Sequence, residues 1–115
     1  MDIGELQARA VEIARMYDRS HRAAGRQEWS TGDLALGFVG DVGDLAKLVM
    51  AVEGRRVIPD AEARLGHELA DCLWSVLVLA DRCGVDLVAE FADMTDGIEQ
   101  HLRLDEGPPR RTPRT

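Results

Sequence analysis

The stretch GFVGDVGDLAKL, residues 37–48, places two carboxylates on a segment that is apolar on one side. Apolar residues recur around it at alternating steps of three and four, the pattern of an amphipathic helix. They are Leu34, Phe38, Leu45, Leu48 and Val52. At 100° per residue Asp41 falls inside this apolar arc, and Asp44 lies about 60° to one side. Because an isolated buried carboxylate is costly, we expect Asp41 to be protonated, paired with a base or bound to a metal.

The same apolar spacing, read together with residues that begin or end helices, predicts a helix on each side of the first loop. The first helix is predicted from about Ile3 to Ala24, with Gly25 as its stop. The helix that contains the opening stretch begins after Ser30 or Thr31, either of which can cap it, and ends at Gly54.

Two more helices are predicted in the second half of the chain. The third runs from roughly Ala61 to Arg82, and its Leu69 to Ala80 portion is apolar on nearly all sides, so it must be covered by its own chain or by another subunit. Gly84 ends it, and Asp86 can cap the fourth helix. The apolar stripe of the fourth helix consists of Leu87, Phe91, Met94, Ile98 and Leu102.

No segment alternates long enough to predict strands, so the expected fold class is all-α, with four helices in a bundle. We predict one helical domain over residues 1–104 and a disordered tail rich in proline and arginine over residues 105–115, DEGPPRRTPRT. A chain of 115 residues is long enough for one modest hydrophobic core.

Charge and hydropathy exclude several classes of protein. The formal net charge of −7 argues against binding to nucleic acid polymers, which are usually bound by a basic face. The longest apolar run, within Cys72 to Ala80, is interrupted by Ser75 and is shorter than the roughly 20 residues that span a bilayer. With no membrane segment and no secretory leader visible, we expect a cytoplasmic protein.

Cys72 and Cys83 lie about 16 Å apart on one predicted helix, too far for a disulfide.

A second acidic pair, Glu68 and Asp71, lies on the third helix at the same spacing of three residues as Asp41 and Asp44. If the two pairs face each other, four carboxylates share one site and repel strongly unless a cation lies among them. Oxygen ligands suit hard cations, and Mg²⁺ binds carboxylates on one side and substrate phosphates on the other. The pattern therefore indicates polyphosphate chemistry, with a metal that polarises a phosphoryl oxygen and activates water.

The stretches GFVGDVGDLAKL and HELADCLWSVLVLADRCGVDL resemble the MazG-like all-α nucleotide pyrophosphohydrolases, a family with an E-x-x-E pair on one helix and an E-x-x-D pair on the next. The resemblance covers roughly residues 28–87. It implies a homodimer or homotetramer of helical bundles that uses Mg²⁺ or Mn²⁺ to split nucleoside triphosphates into monophosphate and pyrophosphate. Carried over by position, it assigns Asp41, Asp44, Glu68 and Asp71 as metal ligands in the catalytic site, although the first pair here consists of aspartates.

Other residues near the acidic pairs are candidates for substrate binding. Lys47, the only lysine of the chain, follows Asp44 by three residues and could reach a phosphate. Trp29 resembles the family tryptophan that flanks the base pocket, although packing on the bundle is an equally good interpretation. His21 is expected at the surface.

Two alternatives to a pyrophosphohydrolase stay open at this point. The first is a non-catalytic helical module that binds a nucleotide or a metal without hydrolysis, and the second is a purely structural dimer. Thermal stabilisation by Mg²⁺ or Mn²⁺ separates the second alternative from the others, because a ligand of the native state raises stability by mass action.

Overall fold

The computed structural model describes residues 1–106, and within them all regular secondary structure is helical. Four helices follow one another, α1 (Ile3–Ala23), α2 (Thr31–Val52), α3 (Ala61–Arg82) and α4 (Leu87–Glu106). The predicted all-α class is therefore confirmed, and the observed helices start and stop close to the predicted positions. None of the helices in residues 1–106 combines the length and apolarity needed to cross a bilayer.

Local side-chain chemistry explains where the helices begin. The Asp2 side chain accepts a hydrogen bond from the Glu5 amide at 2.8 Å, at the start of α1. Ser30 and Asp33 form a reciprocal capping box at the start of α2, with bonds of 2.9 and 3.0 Å. Each bond satisfies an amide that has no partner within the helix, and such caps typically contribute about 1 kcal/mol.

Three glycines in the left-handed region follow the ends of the first three helices. Gly25, Gly54 and Gly84 have φ angles of 69°, 81° and 66°. Glycine adopts this conformation without the steric cost that a Cβ atom imposes, so the chain can leave each helix immediately. The predicted stops are thus confirmed.

The chain divides into two compact units, Met1–Val85 and a second unit that begins at Asp86. In the first unit, α3 packs against both α1 and α2. Its buried apolar side chains come from all three helices and are Ala10, Ala14, Leu34, Leu48, Leu77, Val78 and Ala80. Two hydrogen bonds join α1 to α3, from Gln7 Nε2 to the Leu77 carbonyl and from Trp74 Nε1 to the Ala10 carbonyl, both 3.2 Å long.

In the second unit, α4 is amphipathic, and its predicted stripe lies on one side of the helix. The helix extends through Glu106, so the prediction that the tail begins at Asp105 is wrong by two residues. His101 Nε2 lies 3.3 Å from Asp105 Oδ2, at the i,i+4 spacing that brings side chains together on a helix. The rest of the predicted tail, residues 107–115, lies outside the described residues.

Candidate metal site

The packing of α2 against α3 brings three predicted site residues together. Oxygen atoms of Asp41, Asp44 and Glu68 all lie within 4.8 Å of one another. Asp41 and Glu68 are half-buried at the helix contact, and Asp44 is exposed at its edge. The two aspartates reach the same point because three residues advance only 300° around a helix, and Glu68 approaches from the neighbouring helix.

Glu68 is the member of the group that has a buried oxygen without a partner. Its Oε1 atom is buried and has no hydrogen-bond partner within residues 1–106. Loss of water contact raises the pKa of the Glu68 carboxyl above its ordinary value of 4.5, and the charges of neighbouring aspartates raise it further. These neighbours are, in order of effect, Asp41, Asp71 and Asp44. A buried oxygen without a donor, surrounded by negative charge, is a site that favours a cation.

Asp71 is placed next to this group of three carboxylates and does not belong to it. Its Oδ2 atom lies 3.4 Å from His67 Nε2, one turn earlier on α3. Asp71 nevertheless raises the pKa of Glu68, and together with Asp41 and Glu68 it adds to the effect of burial in raising the pKa of the Cys72 thiol. The assignment of Asp71 as a metal ligand stays a prediction.

Two clefts are lined by residues of this group. One cleft, of about 450 Å³, is lined by Asp44 and Glu68 together with Lys47, Leu48, Ile58, Ala63, Arg64 and His67. The other, of about 560 Å³, is lined by Asp41 together with Trp29, Asp33, Leu34, Leu36, Gly37, Trp74 and Ser75. We call them the basic cleft and the tryptophan cleft. Both volumes fall within the roughly 300–1,000 Å³ of typical small-molecule sites.

The two predicted substrate-binding residues lie in different clefts. Lys47 lines the basic cleft, one turn of α2 beyond Asp44. Trp29 lines the tryptophan cleft and is 39% exposed, so part of its ring is accessible to a ligand. The other part packs against Tyr17 and His21, at centroid distances of 5.0 and 4.6 Å. Trp29 therefore packs on the bundle, and its position beside a base pocket stays a prediction.

Sequence reasoning missed several residues around the site. His21, expected at the surface, is only 8% exposed, because Tyr17 and Trp29 pack on its ring. Arg64 and His67 line the basic cleft, a position that no motif of the sequence indicates. Only the pairing of α2 with α3 places them next to Lys47.

The donor set fits a hard divalent cation. Three carboxylates supply only oxygen ligands, which Mg²⁺ and Mn²⁺ accept. Two unit charges 4.8 Å apart, the upper limit of the distances among these oxygens, repel by about 1 kcal/mol in a water-like dielectric. They repel by more where the contact between the helices excludes water. A divalent cation bound among these oxygens would remove this repulsion and would give the Glu68 Oε1 atom a partner.

Comparisons of the chain with models of protein families, with curated proteins and with solved structures found no match.

Proposed function

We propose that this protein is a magnesium-dependent nucleoside triphosphate pyrophosphohydrolase, which converts a nucleoside or deoxynucleoside triphosphate into the monophosphate and pyrophosphate. The observation that carries the proposal is the convergence of the Asp41, Asp44 and Glu68 oxygens within 4.8 Å, where the Glu68 Oε1 atom is buried without a partner. The resemblance of residues 28–87 to MazG-like enzymes gives the reaction class. Removal of unwanted nucleotides in the cytoplasm is the corresponding cellular role.

The two clefts suggest how a nucleotide would lie on the site. Trp29 and Trp74 offer aromatic surface to a base on the Asp41 side. Lys47 offers a positive charge to phosphates on the Asp44 side. A nucleotide that spans the carboxylates therefore has its α-phosphate close to them.

In the proposed reaction, Asp41, Asp44 and Glu68 would hold the cation, and Asp71 would support the site from its contact with His67. When bound, a divalent cation neutralises charge that develops on the phosphoryl oxygens. Water forms a new bond to the α-phosphorus while the bond from this phosphorus to the bridging oxygen breaks. The bridging electron pair leaves with pyrophosphate, and the proton of water passes to solvent.

The experiment is to incubate the protein with a panel of ribo- and deoxyribonucleoside triphosphates and Mg²⁺, and to identify products by ³¹P NMR. We expect monophosphate and pyrophosphate in equal amounts, with no turnover when EDTA replaces Mg²⁺. A diphosphate and orthophosphate as products would contradict the proposed bond cleavage. Nucleotide binding without any product would support the non-catalytic module, and neither binding nor turnover would favour the structural dimer.

We also propose that the protein self-associates as a homodimer or homotetramer through the outer face of α2. On this face Leu36 and Val39 are 74% and 68% exposed, far more than apolar residues of a covered helix. Beside them, a Cβ atom added at Gly40 or Gly43 would meet no atom of residues 1–106 within 4 Å. These glycines cost helix stability and serve no close packing in the described chain, so a second copy that packs on this face explains both features.

Val39→Glu is expected to shift the protein from a dimer or tetramer to a monomer, because the carboxylate would be desolvated in the interface. Sedimentation velocity measures the change. Val57→Glu is the matched control, since Val57 is 97% exposed and lies in the loop between α2 and α3. A wild-type protein that sediments as a monomer at micromolar concentration would contradict this assembly.

A further inference from the structure

Arg64 is the residue near the site to which neither the acidic pattern nor the family resemblance gives a role. It lines the basic cleft together with Lys47, and the same cleft is lined by Asp44 and Glu68, two of the three convergent carboxylates. Arg64 comes from the first turns of α3 and Lys47 from the second half of α2. Two positive side chains from different helices therefore border one cavity that is continuous with the acidic group.

Both cations are available to a ligand. Within residues 1–106 no ion pair involves Lys47 or Arg64, whereas Arg82 binds Asp18 and the Trp29 carbonyl. Both side chains belong to exposed residues, so their hydrogen-bond donors are in solvent. An anion in the basic cleft would replace this water with charge-assisted hydrogen bonds.

The other clefts next to the helices differ in charge. The tryptophan cleft is lined by Asp33 and Asp41 and by no cation. A third cleft, between α1 and α3, is lined by Arg15 and Arg82 and also by Asp18, Glu28 and Asp81, and Arg82 is engaged there. The basic cleft alone among these three combines unpaired cations with carboxylates of the convergent group. A cation bound to those carboxylates would make this cleft more positive.

We infer that the basic cleft is the subsite for the phosphoryl groups beyond the α-phosphate, with Arg64 and Lys47 as its specificity-determining residues. The inference rests on the proposed function and extends it by fixing the direction of the substrate. The base lies towards Trp29 and Trp74, and the pyrophosphate that leaves lies between Lys47 and Arg64. Arg64 thereby selects substrates with a chain of phosphates over monophosphates, because a monophosphate does not extend into this cleft.

The test is calorimetric titration of inorganic tripolyphosphate and of a nucleoside monophosphate, both with Mg²⁺. For Arg64→Ala and Lys47→Ala we expect the affinity for tripolyphosphate to fall about tenfold, the typical effect of losing one charge-assisted hydrogen bond. The affinity for the monophosphate is expected to stay within about twofold of the wild type. Arg64→Glu should weaken tripolyphosphate binding further than Arg64→Ala, because it reverses the charge.

The matched control is Arg19→Ala, which removes an exposed arginine of α1 that lines none of the three clefts. It should bind both ligands as the wild type does. Circular dichroism of each variant verifies that the helices are retained.

Three results would overturn the inference. They are an absence of tripolyphosphate binding by the wild type, equal tripolyphosphate affinity in Arg64→Ala and the wild type, and an equal loss of affinity for monophosphate and tripolyphosphate.

The failure of the proposed function is distinguishable from these results. If tripolyphosphate binding depends on Arg64 but no nucleotide is hydrolysed, the reaction is refuted and the anion subsite stands. If nucleotides are hydrolysed with the same KM in Arg64→Ala, the subsite is refuted and the reaction stands.

Discussion

Glu68→Gln is expected to lower the rate of pyrophosphate release about a thousandfold. The substitution keeps the size of the side chain and removes the negative charge of the carboxylate whose Oε1 atom is buried without a partner. A bound metal supplies several kcal/mol of stabilisation to the charge of the transition state, and each 1.36 kcal/mol corresponds to a factor of ten in rate. The measurement is kcat/KM for the best substrate of the nucleotide panel at saturating Mg²⁺.

Variants of two other acidic residues of α3 provide the comparison for Glu68→Gln. Asp71→Asn is expected to lose less, between about tenfold and a hundredfold, which is typical of residues that support metal ligands. Glu62→Gln is the matched control, because Glu62 is an exposed acidic residue of the same helix that lines none of the described clefts. Full activity of Glu68→Gln would refute the metal site. A loss in Asp71→Asn as large as that in Glu68→Gln would make Asp71 a fourth ligand.

The second large effect expected of Glu68→Gln is on the free energy of unfolding. The sign of this effect depends on whether a divalent cation is bound. Without divalent cations, Glu68→Gln is expected to raise the free energy of unfolding by about 1 kcal/mol, because it removes repulsion among carboxylates within 4.8 Å. With Mg²⁺ at a hundred times its Kd, the wild type should gain about 2.7 kcal/mol, which is roughly 10 °C or more in Tm for a domain of this size. The variant should gain almost nothing, so the order of the two stabilities reverses.

The dependence on pH follows from the raised pKa of Glu68. Because the folded protein holds this proton more tightly than the unfolded chain does, the contribution of Glu68 to stability is fully present below pH 4.5. It is lost as the pH rises through the higher pKa of the folded state. Glutamine does not titrate, so Glu68→Gln should lack this loss.

Thermal unfolding followed by circular dichroism measures these differences in stability. NaCl at matched ionic strength controls for general screening of the acidic chain. A wild-type Tm that is the same in MgCl₂ and NaCl would count against a cation site, and so would a Glu68→Gln variant less stable than the wild type without Mg²⁺.

Much of the fold could be predicted from short stretches of sequence. Ser30 and Asp33 form a capping box because their side chains reach amides three residues away, whatever the rest of the chain does. Gly54 ends α2 because glycine, which has no Cβ atom, adopts the left-handed backbone conformation without steric cost. The joint position of Asp41 and Asp44 also follows from the pitch of a single helix. These relationships span fewer than five residues, so the sequence contains them directly.

The convergence of Glu68 with Asp41 and Asp44 was expected, but the amino-acid pattern allowed the two pairs to face apart as readily as together. The rotation of α3 against α2 decides it, and this rotation is set by how Leu34, Leu48, Leu77 and their neighbours fill one core. The same packing buries His21 behind Trp29. The contact of Asp71 with His67 is different, because its i,i+4 spacing on α3 places the two side chains together within one helix.

The sequence by itself therefore determined the four helices, their caps and stops, and which acidic residues share a face of one helix, because these depend on local backbone geometry. Only the tertiary structure decided which carboxylates meet, that Lys47 and Arg64 border the same cleft, and that one oxygen of Glu68 is buried without a donor. These features join residues far apart in the chain, and their distances depend on the packing of whole helices against each other.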